Sequence, residues 1–306
     1  MLTAPSSTRP QASGTETVIR GDWQCLPVIP PIASRFVAGE SPATALEHAR
    51  SANEDGVGVI LNLLGEHYGE RDPAEADASA YVDLIEDIAD SGLDACVSVK
   101  PSQLGIDVGD DVFRENYRRV VEAGVDADVF VWCDMEDATT IDATLDAFEA
   151  LAREFDGGVG QCVQSNLRRT RDDLERLADV PGAVRLVKGA YDEGPSVAYT
   201  EKATVDERYR ADLEWLFGNY AGDVAVGSHD PAMISHAERL SERYDREFQV
   251  QMLMGVRGDA QRDLAADGRE VWQYAPYGEK WLSYFYRRVR ERKENLVFAA
   301  RAVLAG

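Results

Sequence analysis

Eight apolar, β-branched-rich runs recur along the chain, each followed by a polar stretch with helical patterning, and together they predict a (β/α)8 TIM-type barrel of the α/β class. The runs fall at 57–64, 95–100, 129–134, 159–164, 184–188, 224–229, 248–253 and 271–274. They are continuous rather than alternating, as expected of parallel strands covered on both faces. Eight strand–helix units in roughly 250 residues is the size of one such barrel. Nearly every run also ends in a residue able to do chemistry, and in this fold all strand C-termini open onto one face, where the active site sits.

The elements follow in order. Ser41-Pro42 reads as an N-cap followed by a first-turn proline, so a helix over 43–51 precedes the first strand. After that strand, Asp72, Pro73 and Glu75 supply a cap, an N1 proline and a capping-box glutamate for a helix reaching about residue 90. The second run ends in Lys100, the third in Asp134 and the fourth in Gln164. The fifth ends in Lys188 and continues into Gly189 and Ala190, where glycine lets the backbone approach a ligand. Thr204 with Glu207 predicts a capping box ahead of Tyr209, Leu213 and Leu216. The sixth run ends in His229, and Asp230-Pro231 repeats the cap-plus-proline signal. Gln251 lies near the end of the seventh run and Tyr274 closes the eighth. Seven side chains far apart in sequence (Lys100, Asp134, Gln164, Lys188, His229, Gln251 and Tyr274) should therefore line one mouth.

The helix expected after the eighth strand has Leu282, Phe285, Tyr286 and Val289 at i, i+3, i+4 and i+7, an apolar face. Arg287, Arg288 and Glu291 cluster on the opposite face with Tyr284. That face is either a solvated exterior or a cover for the barrel mouth. As a cover, two adjacent guanidinium groups would clamp a carboxylate and Glu291 would meet an amine, a match to a zwitterionic amino acid.

Residues 1–21 are rich in Ser, Thr, Pro and Gly and lack the apolar core of a signal peptide. The expected organisation is a flexible tail over 1–25 and a single barrel domain over 26–306. A two-domain dinucleotide-binding fold is the competing α/β reading. No G-x-G-x-x-G follows a strand, the glycines at 157, 158 and 160 precede one, and no phosphate-binding G-x-x-x-x-G-K-[ST] occurs.

Composition bounds the partners. The chain has 306 residues, 55 acidic against 32 basic, a formal charge of −23. Lysine occurs at only five positions, 100, 188, 202, 280 and 293. An acidic, lysine-poor surface resembles proteins adapted to high salt, where counterions screen self-repulsion. The same field argues against nucleic acid as a partner. Cys25, Cys96, Cys133 and Cys162 show no metal-ligand spacing, and three lie inside expected strands as small apolar fillers. A reducing, cytoplasmic location fits.

The chemistry of the strand tips leaves alternatives open. A lysine at a barrel mouth can contact a phosphate or carboxylate, form a Schiff base or hold a cofactor; otherwise it is a snorkelling residue in a salt bridge. Arg185 lies inside the fifth strand and needs a partner, for which Asp134 is the candidate. Asp134 could act as a base, bind metal or orient a cation, but no His/Asp/Glu set with ligand spacing surrounds it.

Several motifs together resemble the flavin-dependent proline dehydrogenase family. They are residues 184–191 (VRLVKGAY), 274–279 (YAPYGE), Arg287-Arg288 with Glu291, and 134–137 (DMED). Ser98 with Lys100, 103–105 (QLG), 35–39 (RFVAG), 64–66 (LGE) and 251–253 (QML) complete the set, in the family's order from Ile32 to Leu296. The resemblance implies a distorted barrel that binds FAD at its mouth. It implies oxidation of L-proline to Δ1-pyrroline-5-carboxylate, electrons passed to a quinone, and catabolism towards glutamate. By the same resemblance Lys100, Arg287 and Arg288 bind the substrate carboxylate, and Glu291 and Tyr274 complete the pocket. Asp134 and Arg185 flank the flavin, and Met135, Gln164, Lys188, Gly189, Ala190, Ser228 and His229 hold FAD; no metal is implied. Quinone reduction implies transient contact with the inner face of the membrane, yet no amphipathic anchor is visible. Departures from the family pattern are Ser228 for threonine, Gln249 for glutamate, Trp132 for arginine, and Ser165-Asn166 for a small-plus-aromatic pair. Two rival functions remain at this level: a Schiff-base aldolase using Lys100 or Lys188, and a barrel that binds a ligand without catalysis.

Overall fold

In the computed structural model, which describes residues 33–282, eight parallel strands close into a barrel in sequence order. The strands are β1 (Gly58–Leu63), β2 (Ala95–Val99), β3 (Val131–Cys133), β4 (Val159–Gln164), β5 (Ala183–Val187), β6 (Asp223–Gly227), β7 (Gln249–Leu253) and β8 (Val271–Tyr277). Closure comes from β1 pairing with β8, Gly58 opposite Trp272 through Leu63 opposite Tyr277. Each strand coincides with one of the eight apolar runs to within a few residues.

Helices cover the outside: α1 (Pro42–Glu54), α2 (Arg71–Ser91), α3 (Asp110–Ala127), α4 (Ile141–Glu154), α5 (Thr170–Arg176), α6 (Lys202–Asn219), α7 (Pro231–Tyr244) and α8 (Gly258–Ala266). Their apolar faces meet the outward-pointing strand residues; Tyr81, Leu84 and Ile85 of α2 and Phe113 and Tyr117 of α3 are fully buried there. Each such side chain contributes about 1.5–3 kcal/mol by leaving water.

Inside the barrel, large rings fill the space above glycines. Gly160 faces Trp132, and an added Cβ would come within 2.5 Å of that ring; Gly58 faces Trp272 at 2.7 Å. This pairing of small with large residues lets two indoles occupy the barrel's lower interior, so the next layer towards the strand C-termini becomes the floor of a cavity.

Two helix starts match their sequence signals. Ser41 and Thr44 form a reciprocal capping box at α1, and the Asp230 carboxylate accepts from the Ala232 N–H at 3.0 Å ahead of Pro231. Two do not. Helix α2 begins at Arg71 with Glu70 at the cap position and no side-chain cap bond, so Asp72 lies inside the first turn. Helix α6 begins at Lys202, which places Thr204 within the helix. In both, the ion pairs Arg71–Glu75 and Lys202–Asp206 form across one turn and extend the helix backwards past the polar residue. The expected helix carrying Arg287, Arg288 and Glu291, and the tail over 1–25, lie outside the described residues.

Candidate active site

All seven strand-tip residues singled out from the sequence line one cavity of about 310 Å3 at the C-terminal mouth of the barrel. Lys100, Asp134, Gln164, Lys188, His229, Gln251 and Tyr274 come from seven different strands or the turns that follow them. Arg185, Met135, Gly189 and Ala190 line it too.

The floor is an ionic knot. The Arg185 guanidinium, only 4% exposed, donates to Asp134 Oδ1 and, at 3.2 Å, to Gln251 Oε1. Asp134 Oδ1 also accepts from the Ser98 hydroxyl at 2.8 Å, while its Oδ2 accepts from the Tyr274 hydroxyl at 2.7 Å. Both carboxylate oxygens are thus committed, and the Tyr274 ring is fixed by its own hydroxyl. The guanidinium lies 5.0 Å from the centroid of Trp132 and 5.6 Å from that of Tyr274, sandwiched by aromatic surface. Burial, reinforced by Asp134, pushes the Tyr274 phenol well above its ordinary range, so it stays protonated and donating. The pairing of Arg185 with Asp134 is the one expected from the rule that buried charges are paired.

One wall is backbone. Gly189 has φ +106°, and a Cβ there would sit 2.1 Å from Asn166 Oδ1, so only glycine leaves this edge open. Gln164 braces the same edge: its Nε2 donates to the Glu136 carbonyl at 2.7 Å and its Oε1 accepts from the Ala190 N–H at 3.3 Å. Lys188 is held by two carboxylates, Asp206 at 2.6 Å and Asp230 at 2.8 Å. Lys100 lies 3.5 Å from Glu66. His229 Nε2 accepts from the Leu253 N–H at 3.3 Å, which joins the ends of β6 and β7. Met135 is buried and lines the cavity, whereas Ser228 is not among the lining residues: its hydroxyl accepts from the Asp230 N–H at 3.1 Å and shapes the turn.

Sequence reasoning gave Ser98 no role, read Cys162 only as a small apolar filler, and gave Glu136 and Tyr191 no role. Cys162 and Tyr191 line the cavity, Ser98 bonds Asp134, and Glu136 takes a bond from Tyr191 at 3.2 Å. The signal that finds the first two is the strand period: Ser98 stands two residues before Lys100 and Cys162 two before Gln164, on the same inward face. Burial pushes the Cys162 thiol up, so it is a neutral filler beside Arg185.

The family model described as proline dehydrogenase matches residues 45–301 of the chain. The proline dehydrogenase of Deinococcus radiodurans is 37% identical over 284 residues, covering 90% of this chain and 91% of that protein. Proline dehydrogenase 1 of Bacillus subtilis (strain 168) is 32% identical, covering 89% of the chain and 90% of its own length. Among solved structures, proline utilization A from Bdellovibrio bacteriovorus, inactivated by N-propargylglycine, superposes with a TM-score of 0.77 at 25% identity over 84% of the chain. The chain spans about a third of that larger protein, 32% of its length.

Proposed function

The chain belongs to the proline dehydrogenase family, and from that membership we propose that it oxidises L-proline to Δ1-pyrroline-5-carboxylate with FAD as its cofactor. The observation that carries this reading is the gathering of seven strand ends around one cavity, with a buried cation at its floor and an open backbone edge at its wall.

The residues fit the cofactor. A planar ring system needs an apolar slot with polar groups at its edges; Met135, Val187 and Leu253 supply the first and Gln164, Gln251 and His229 the second. Gly189 and Ala190 offer a backbone cradle that a side chain would fill, and Lys188, fixed in place by Asp206 and Asp230, lines the same wall. Ser228 supports the cofactor through the turn that carries His229 and Asp230. When bound, FAD supplies the two-electron acceptor.

The chain's own residues would then bind and orient. Lys100 provides positive charge for the substrate carboxylate, joined by Arg287 and Arg288, whose adjacent guanidinium groups suit a bidentate clamp. Tyr274, fixed by Asp134, forms the wall against the pyrrolidine ring, and Glu291, which lies outside the described residues, would complete the pocket. Arg185, desolvated and backed by Asp134, presents its charge where negative charge develops. The burial of Arg185 strengthens that interaction. The electrons would pass to a quinone, which calls for a transient encounter with the inner face of the membrane by a cytoplasmic protein. The Schiff-base alternative loses force at Lys188, which is committed to two carboxylates.

Purified protein should be yellow and should reduce an artificial dye only when L-proline is added; a colourless protein that forms a borohydride-trapped adduct on Lys100 or Lys188 would overturn the proposal. Arg288→Lys should raise KM for proline by one to two orders of magnitude with kcat less affected, since a point charge cannot replace a planar fork.

A further inference from the structure

Removing hydride from the carbon beside the amine requires the nitrogen lone pair, which an ammonium does not have, so the substrate must give up a proton at the site. Most carboxylates at the mouth already face cations. Asp134 holds Arg185, Asp206 and Asp230 hold Lys188, and Glu66 lies beside Lys100. Glu136 differs. It is 2% exposed, in the segment between β3 and α4, and its hydrogen-bond donors are all neutral. Its Oε2 accepts from the Ser102 N–H at 2.6 Å, and its Oε1 from the Ser102 hydroxyl at 2.9 Å and the Tyr191 hydroxyl at 3.2 Å. Tyr191 in turn lines the cavity together with Lys100.

We propose that Tyr191 and Glu136 form the proton exit for the substrate amine, Tyr191 touching the substrate and Glu136 receiving the proton behind it. This inference rests on the proposed proline oxidation and names a role within that same site. The ammonium N–H bond breaks and its electron pair stays on nitrogen; the proton joins Tyr191 Oη as the phenol's own proton passes to Glu136 Oε1. Ammonium becomes amine and carboxylate becomes carboxylic acid, with no change in oxidation state. Hydride loss from the neighbouring carbon then leaves a C=N bond.

Three features support it. Burial raises the proton affinity of Glu136, while the Ser102 bonds and the Lys100 charge hold it in check and Asp134 adds to it. The groups facing Glu136 come from every side: Lys100 and Ser102 after β2, Asp134 at the end of β3, Tyr191 after β5, and His67 from the segment after β1, itself paired with Asp107 at 2.9 Å. Finally, an amino acid's amine lies one carbon from its carboxylate. Lys100 and Tyr191 both line the cavity and both act on Glu136, one through its charge and one through its hydroxyl, so a carboxylate drawn to Lys100 brings the amine towards Tyr191.

The test is the pH profile of kcat/KM for L-proline with a dye acceptor, in wild type, Tyr191→Phe, Glu136→Gln and the double variant, alongside flavin content. Each single variant should lose about 10²-fold near neutral pH. The deficit should shrink as pH rises towards the range where the free amine predominates, and the double variant should be no worse than either single one. Flavin content should match wild type. A wild type that reduces dye while Tyr191→Phe keeps its pH profile overturns this inference alone; a wild type inert towards proline overturns the proposed function with it. If Glu136→Gln does not fold, Tyr191→Phe, which removes a single oxygen, decides the matter.

Discussion

Arg185 shows how far a single residue can be read without coordinates. A cation in the middle of an apolar strand must find an anion, and Asp134 is that anion. Asp134→Ala should therefore destabilise the fold by about 3–5 kcal/mol, because it strands a buried guanidinium; urea unfolding that changes by less than a fifth of this would mean that water reaches Arg185. Lys188 was less legible. Its partners Asp206 and Asp230 stand 18 and 42 residues downstream, and only the packing of α6 and α7 brings them to one ammonium. His48 was not legible at all. It is half-buried on the face of α1 turned to β8, with Nε2 2.6 Å from Gln273 Oε1. Burial lowers its pKa below the ordinary 6.5, partly opposed by that hydrogen bond. The unfolded chain then binds the proton more readily, so the stability from neutral His48 is present above about pH 6.5 and lost as pH falls below it. The loss of unfolding free energy between pH 7.5 and pH 5.5 should be smaller in His48→Gln than in wild type.

Among the helices, local signals succeed where nothing competes and fail where a neighbouring charge pair does. Ser41 caps α1 through a reciprocal bond with Thr44, so Ser41→Ala should cost about 1 kcal/mol. Thr204 carries the same kind of signal but lies inside α6, and Thr204→Ala should change stability by no more than about 0.5 kcal/mol. Thermal unfolding of the two variants separates the cases; equal losses would return the start of α6 to Thr204. The strands were the most legible elements, because a strand buried on both faces has no freedom to be anything but apolar.

For the whole molecule, the charge of −23 sits largely on the helices, where arginines tie neighbouring elements together. Arg176 bonds Asp146 and Glu149, and Arg153 bonds Glu149 and Asp179, linking α4 to α5 and the turn after it. Single exposed pairs of this kind contribute little, and the excess of carboxylates remains. Raising KCl from 0.1 to 2 M should raise the thermal midpoint, since screening relieves that repulsion; a midpoint that stays flat would show that the acidic surface does not limit stability. The sequence alone determined the barrel and which residue stands at each strand tip, because apolar periodicity and strand-end position are properties of adjacent residues. Only the tertiary structure decided which charges share a bond. It also put Glu136 behind Tyr191 and turned the Ser228 hydroxyl into its own turn, because those distances are set by barrel closure, which brings together residues that no local pattern connects.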